Sequence, residues 1–546
     1  MNVSFNPQRI HSGVRASVAQ GLRSAALALL LAMGITAVSA EAEETAKASF
    51  TNTDKTKLET MLMSHMQRIV DRQTRLEGQE KYIKVKSVRY NIDEAIIYVD
   101  LGKAYVPRRH SAEFLDSLRE LNLEITDAVW DSISLNGVRF LYNGKGIYYY
   151  FPDEPQQPAR SGKTGAAANM TAAPLIVVSA GHGAYYNYGS PAFGVARWTE
   201  QRDPYNGIIE DYVTPGYAIE LSNWLISRSG AMTAFTRSFN ETTHTPSDRP
   251  WWKVAARYHL ASLYPDHPSI WHSRPNDTNN DRELKEDWQS RPYLANHLGA
   301  QTLLHVHTNG SPDTAATGTR VFFQTGRAAD KPLGDSILCY MKELIHANPA
   351  YANFTVASTA SEDDNAETRL ATMRTVVVET AFHTNPNDAL ALQDPAFRTA
   401  AMKGVEKGYR LNAAGKTTCE PFKISSIPNV TGPYRVSMPV LVNYVGYPQF
   451  PVKIKVDYVT CPYPWTCKGF EKSVATEVPS PLSYNVICNA DPRPPATFKI
   501  KTTLTDADGV KTNTVEHSYT CATPAAAKQI IDTVPAGRPT TGAGRG

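Results

Sequence analysis

The stretch LIVVSAGHGA, Leu175 to Ala184, decides how the chain is read. Its first residues are apolar and rich in β-branched side chains, as in a strand buried on both faces of a parallel sheet. Gly181 and Gly183 then permit a sharp turn and the close approach of another group. In open α/β sheets, turns at the carboxyl ends of strands are where ligands sit. His182 occupies that turn. Alone it reads more readily as a turn residue than as a ligand, and its partners must be sought elsewhere in the chain.

Outward from this stretch, apolar runs alternate with helical ones: YAIELSNWLI, QTLLHVH, RVFFQT, DSILCYMKELI, TVVVETAF and FRTAAMKGVEKGY. The alternation predicts an α/β domain over 173–414, a mostly parallel sheet flanked by helices. Upstream, residues 50–152 read as a small α+β domain. Leu58, Met61, Leu62, Met66, Ile69 and Val70 recur at helical spacing, and GVRFLYNGKGIYYYFP predicts a hairpin around Asn143-Gly144. Residues 153–172 are polar, small and Pro/Gly-containing, and read as a linker. Downstream, 421–521 turns to short alternating strands with DADG as a turn, the pattern of an all-β Ig-like sandwich. Residues 522–546 carry too few apolar side chains to fold and are expected to be disordered.

The first forty residues stand apart. Arg9, Arg15 and Arg23 precede AALALLLAMGITA, and AVSA follows, which predicts a signal peptide over 1–40 cut after Ala40 and a periplasmic or secreted protein. The apolar run is too short to span a bilayer comfortably, so no transmembrane segment is expected after cleavage. Six cysteines lie in the mature chain, four of them in its last stretch and none in a CxxC, which points to disulfides, two of them among those last four, rather than a zinc–thiolate site. A net charge of +3 on 546 residues gives no argument for nucleic acid.

Three segments supply partners for His182. GIIEDYVTPGYAIEL sets Glu210 at the head of a helix, LLHVHTNGSP sets His305 and His307 on one face of a strand, and VVVETAFHTNP sets Glu379 at the end of another. Two imidazoles and a carboxylate are what a catalytic zinc favours, with a fourth position left for water. A second carboxylate outside that shell suits a general base. Each residue also has a structural reading: a buried glutamate as half of an ion pair, a strand histidine as a satisfied core residue.

Taken in order, IVVSAGHGA, IIEDYV, RPYLANHLGAQTLLHVHTN, GTRVFF and VVVETAFHTNP resemble the successive motifs of the zinc-dependent N-acetylmuramoyl-L-alanine amidases, from about Pro174 to Leu411. The resemblance implies that His182, Glu210 and His307 hold Zn2+ and that Glu379 is the catalytic carboxylate. Asn309, Arg291, Asn296, Phe382 and Asn385 also match the family pattern, and read more readily as sheet and loop scaffold than as substrate-facing or supporting residues; His305 stands where the family usually has serine, and lines the site or, the preferred reading, packs near it. Ser179 stands where the family commonly has aspartate, Ala184 replaces its second glycine, and a long insertion with Trp251 and Trp252 stands where typical relatives are short. The implied activity is hydrolysis of the amide between N-acetylmuramic acid and L-alanine in peptidoglycan, with the flanking domains anchoring the enzyme or meeting an activating protein. Another zinc amidohydrolase acting on cell-wall peptides, for instance a carboxypeptidase, and a catalytically inactive wall-binding protein are the alternatives.

Overall fold

A computed structural model describes residues 52–129, 132–158, 173–189, 194–489 and 495–522. The expected signal peptide, most of the linker and all but the first residue of the expected disordered tail lie outside them. The chain divides into two compact units, Met1–Met341 with Phe354–Thr417, and Lys342–Asn353 with Thr418–Gly546.

The first unit is built on one nine-stranded mixed sheet flanked by helices. Its N-terminal part contributes α1 (Asn52–Arg72), β1 (Ser87–Asn91), β2 (Ile96–Asp100), α2 (Ala112–Val129) and β3 (Gly137–Leu141). The catalytic part contributes β4 (Leu175–Ala180), α3 (Glu210–Ser229), β5 (Met232–Phe235), α4 (Arg282–Leu298), β6 (Thr302–Asn309), β7 (Arg320–Gln324), β8 (Ser361–Asp363), α5 (Ala366–Arg369), β9 (Arg374–Phe382) and α6 (Pro395–Ala413). The strand order is β1-β2-β3-β8-β7-β9-β6-β4-β5. β9, β6, β4 and β5 run parallel to one another, and β7, which pairs antiparallel with β9, runs the opposite way together with β8. From β4 the chain goes one way to β5, then returns to place β6 on the other side. The ends of β4 and β6 therefore flank a topological switch point, where such sheets bind ligands.

All eight residues of β6 are buried, as the continuous apolar run required, and so are the last eight of β9. The small N-terminal core is formed by the face of α1 bearing Leu62, Met66 and Ile69, with Phe114, Leu121, Ile125 and Val129 of α2 packed against the strands. This part joins the catalytic strands through a single ladder pair, Gly137 with Glu362. The hairpin expected around Asn143-Gly144 forms only its turn. Tyr142 and Lys145 bridge, but Ile147–Tyr149 coils into a 3-10 turn instead of a strand. Ile147 and the Tyr142 ring belong to the N-terminal core, and Tyr150 Oη donates to the Tyr142 carbonyl at 2.8 Å, folding the tyrosine-rich arm back on itself.

The second unit is an all-β sandwich. Its strands, β10 (Lys423–Ser426), β11 (Val430–Pro433), β12 (Met438–Val445), β13 (Val452–Thr460), β14 (Phe470–Val474), β15 (Leu482–Val486), β16 (Ala496–Thr505) and β17 (Val515–Ala522), form sheets ordered β10-β12-β15 and β11-β17-β16-β13-β14. Val452, Ile454 and Val456 point inward while Lys453 and Lys455 point out, the period-two pattern read from the sequence. Disulfides join Cys461 to Cys467 and Cys488 to Cys521.

Candidate active site

The parallel register sets His307 of β6 directly beside Glu379 of β9, and His305 beside Ser179 of β4. His182 follows β4 by two residues and Glu210 opens α3, so all four acid and imidazole groups converge on one rim of the sheet. His182, Glu210, His307 and Glu379 are each no more than 3% exposed.

Local backbone explains why the turn has its sequence. His182 is left-handed, with φ +57°, a conformation that costs about 1–3 kcal/mol for a non-glycine residue and persists only where its surroundings impose it. The surroundings are on hand. Gly183 N–H donates to Asp211 Oδ1 at 2.9 Å, Ala184 N–H to the Lys253 carbonyl at 2.8 Å, and Arg291 Nη2 to the His182 carbonyl at 2.7 Å. A Cβ on Gly181 would lie 2.5 Å from His307 Nδ1, and one on Gly183 2.7 Å from Ala255 Cα. The first glycine seats one imidazole against the next. The second admits the Trp-bearing insertion, whose Ala255 N–H returns a bond to the Ala184 carbonyl, so that this part of the insertion packs against the turn as a wall.

Gln201 orients the His182 ring. Its amide nitrogen donates to Asp287 Oδ2 and the Gly183 carbonyl, both at 2.9 Å, and its oxygen accepts from Trp288 Nε1 at 3.1 Å. A carboxylate only accepts and an indole N–H only donates, so the amide has one orientation and its oxygen, 3.1 Å from His182 Nδ1, requires a proton there. Nε2 is left with its lone pair, buried and without a hydrogen-bond partner, 3.3 Å from Glu210 Oε1. Burial lowers the pKa of this ring.

Glu210 Oε1 also accepts the Thr308 N–H at 2.9 Å and lies 3.2 Å from His307 Nδ1. Burial opposes its charge, but His182 and His307 outweigh burial and hold it well below the usual carboxylate range. At the first turn of α3 the helix dipole favours the same form. His307 Nε2 lies 3.0 Å from Glu367 Oε2 of α5. Against burial, Glu367 and Glu210 raise the His307 ring to about 9. Glu367 is thus the carboxylate behind His307, the arrangement that fixes ring orientation in metal-ligating histidines.

These residues fit a zinc-type cation. One donor atom each from His182, Glu210 and His307 lies within 4.8 Å of the others, all three residues are buried, and the set of two nitrogens and one oxygen is that of catalytic zinc. A second grouping, His305, His307 and Glu367, does not invite an ion, because Arg291 Nε at 3.2 Å from Glu367 Oε1 already supplies the positive charge.

The remaining sequence candidates separate cleanly. Arg291 is fully buried beneath the turn, bonded to Ser179 Oγ at 3.0 Å and Asp287 Oδ2 at 2.9 Å, and supports His182 from behind. Ser179, with Thr236 at 3.1 Å, completes that support, and the carboxylates come from Asp211 and Asp287. His305 is fully buried, its pKa lowered by burial to about 4, with Nδ1 3.3 Å from Glu367, so it packs beside the site. Asn309 accepts at Oδ1 from Arg119 at 3.3 Å and keeps a buried Nδ2 without a hydrogen-bond partner. Asn296 fastens Leu370 and Thr372, and Asn385 caps the following helix. Gln201, Asp211, Asp287 and Glu367 escaped the sequence reading because no spacing signal marks them.

Glu379 completes the rim. Burial raises its pKa above the usual carboxylate range, and Arg119 opposes the rise. One oxygen accepts from Arg119 Nη2, and the other is buried without a hydrogen-bond partner. A carboxylate of raised pKa next to a cation site is suited to taking and returning a proton near neutral pH.

A mostly parallel sheet, a switch-point rim, a two-histidine, one-glutamate cradle and a separate buried carboxylate define an α/β hydrolytic enzyme with room for a divalent ion. Residues 176–410 match the family model of the N-acetylmuramoyl-L-alanine amidases. The segment is also similar to the catalytic domain of CwlV from Bacillus (Paenibacillus) polymyxa var. colistinus, with 17% identity over 43% of this chain and 95% of that one, TM-score 0.28. An amidase from Clostridium difficile 630 gives 14%, 43%, 94% and 0.29. A putative amidase from Neisseria meningitidis gives 11%, 44%, 96% and 0.24. Identities this low add nothing to the roles of individual residues. No curated protein matches.

Proposed function

We propose that the chain is an exported, zinc-dependent peptidoglycan amidase that cleaves the bond between the lactyl carbonyl of N-acetylmuramic acid and the nitrogen of L-alanine. Within it, 50–152, 173–414 and 421–521 act as accessory, catalytic and wall- or partner-directed domains. His182 Nε2, Glu210 and His307 Nδ1 would hold the ion, which when bound supplies Lewis acidity toward a water molecule and the scissile carbonyl. Glu379 accepts the proton of the attacking water as its oxygen bonds to the carbonyl carbon. It then delivers that proton to the alanine nitrogen as the C–N bond breaks. Asn309, with its spare amide donor beside Arg119 and Glu379, is suited to orient the substrate. Gln201 and Glu367 keep the two imidazoles turned so that Nε2 of one and Nδ1 of the other face Glu210.

The observation that carries this reading is the pairing of a cradle of fitting donors with an independent carboxylate of raised pKa on the neighbouring strand. No helix among the described residues is long and apolar enough to cross a membrane, and the disulfides suit an oxidising compartment. The test is product mass spectrometry on purified peptidoglycan incubated with the zinc-loaded chain, with and without chelator. Intact stem peptides with a free amino-terminal alanine are expected, in the sample without chelator only. Release of a single carboxyl-terminal residue would establish a carboxypeptidase instead.

A further inference from the structure

We infer that α2 of the N-terminal part closes the catalytic rim, so that the chain as folded is a shut enzyme that must open there to admit the wall. The inference rests on the reading of Glu379 as the catalytic carboxylate.

One face of α2 belongs to the N-terminal core, through Phe114, Leu121, Ile125 and Val129. The other meets the catalytic part at nearly every turn. Asp116 lies 3.6 Å from Arg202, Asn122 Nδ2 donates to Asp363 at 3.1 Å, and Asp127 accepts from Arg320 at 2.6 Å. Leu123 packs on Ala316 and Phe382. Arg119 stands in the middle of this face. It occupies one oxygen of Glu379 and reaches Asn309, the two groups that a substrate amide must approach. With α2 seated, the three cradle residues and Glu379 are all but sealed from solvent, whereas the Arg119 side chain is 26% exposed and marks where the opening lies. A cross-linked polymer cannot reach Glu379 past a guanidinium bonded to it.

The closure is built to separate. The two parts share one ladder pair, and their seam is mainly polar: Arg139 with Glu362 at 2.9 Å, Arg274 with Glu154 at 2.9 Å, and Tyr148 Oη with Asp364 at 2.6 Å. Water replaces such contacts far more readily than it replaces a packed apolar core, so this seam resembles a transient interface more than a core.

The experiment compares the full-length chain with Arg119→Ala, Arg119→Lys and Asp127→Asn, the last touching Arg320 and no reacting group. Two readouts are taken: hydrogen–deuterium exchange over residues 302–310 and 376–384, and hydrolysis of peptidoglycan at saturating zinc. Losing a charge-assisted bond to a closed state should raise the open population, and with it both readouts, roughly ten- to hundredfold for Arg119→Ala. Arg119→Lys and Asp127→Asn should move them the same way by less. If Arg119→Ala and Arg119→Lys lower hydrolysis while exchange is unchanged, Arg119 serves the substrate and the closure is overturned. Unchanged exchange with unchanged hydrolysis overturns it as well. If exchange rises in the variants but no form of the chain hydrolyses peptidoglycan, the closure stands and the amidase reading falls.

Discussion

His182 and Glu379 face the same rim from strands on either side of β6, yet different parts of the chain hold them. Behind His182 lies a network internal to the catalytic part: the half-buried Gln201 and the buried Asp211, Asp287 and Arg291. The guanidinium bonded to Glu379 is that of Arg119, about 260 residues away in sequence and carried on the N-terminal part. The cradle is preorganised by its own domain, while Glu379, the proposed proton-transfer group, depends on what the N-terminal part does. Cation affinity and turnover should therefore be separable by mutation.

The largest expected effect sharpens that contrast. Glu379→Gln should lower turnover by about 10²–10⁴ and leave zinc stoichiometry, read by elemental analysis, unchanged. Loss of both together would join what the geometry separates. Next, Arg291→Leu strands the buried carboxylates of Asp287 and Glu367. The expected cost is about 3–5 kcal/mol, measured by denaturant unfolding of the full chain. A smaller, selective change follows from Gln201→Leu, which removes the acceptor fixing the His182 tautomer. Zinc affinity should fall about 10–100-fold in competition titrations, with turnover at saturating zinc near that of the parent.

The smallest effect concerns the seam. Glu154 contacts His110, Arg274 and Lys285, which against the cost of burial hold its carboxyl well below the usual range. A carboxylate depressed in the fold contributes its full stability above its unfolded pKa, about 4.3, and loses it as pH falls further. Melting temperature should thus drop more steeply below about pH 4 in the parent than in Glu154→Gln, the two curves running parallel from pH 5 to 7. A constant offset across the whole range would mean that Glu154 acts through packing instead.

The strands, the helix opening at Glu210 and the convergence of His182, His307 and Glu379 were legible because each sits in a buried run whose period is fixed by burial. Choosing His307 over His305 needed the family resemblance, since period two puts both on one face. The supporting groups were not legible. Gln201 lies in WTEQRDP and Glu367 in NAETRL, stretches whose composition is that of ordinary surface, and only the tertiary fold half-buries the first and buries the second. Arg119 was hidden for a further reason. On α2 it occupies a polar position of an amphipathic helix, which a sequence reading assigns to solvent, and nothing local announces that another part of the chain covers that face.

The lone pair joining the two halves of the nine-stranded sheet bears on solubility as well as access. Parting Gly137 from Glu362 uncovers two strand edges, and an uncovered edge is where chains add to one another and aggregate. On the catalytic side that edge is β8, three residues long, two of them acidic. Brevity and like charge are the devices by which natural sheets keep free edges from recruiting neighbours. An opened molecule would thus present the wall with a site and its neighbours with little to stick to.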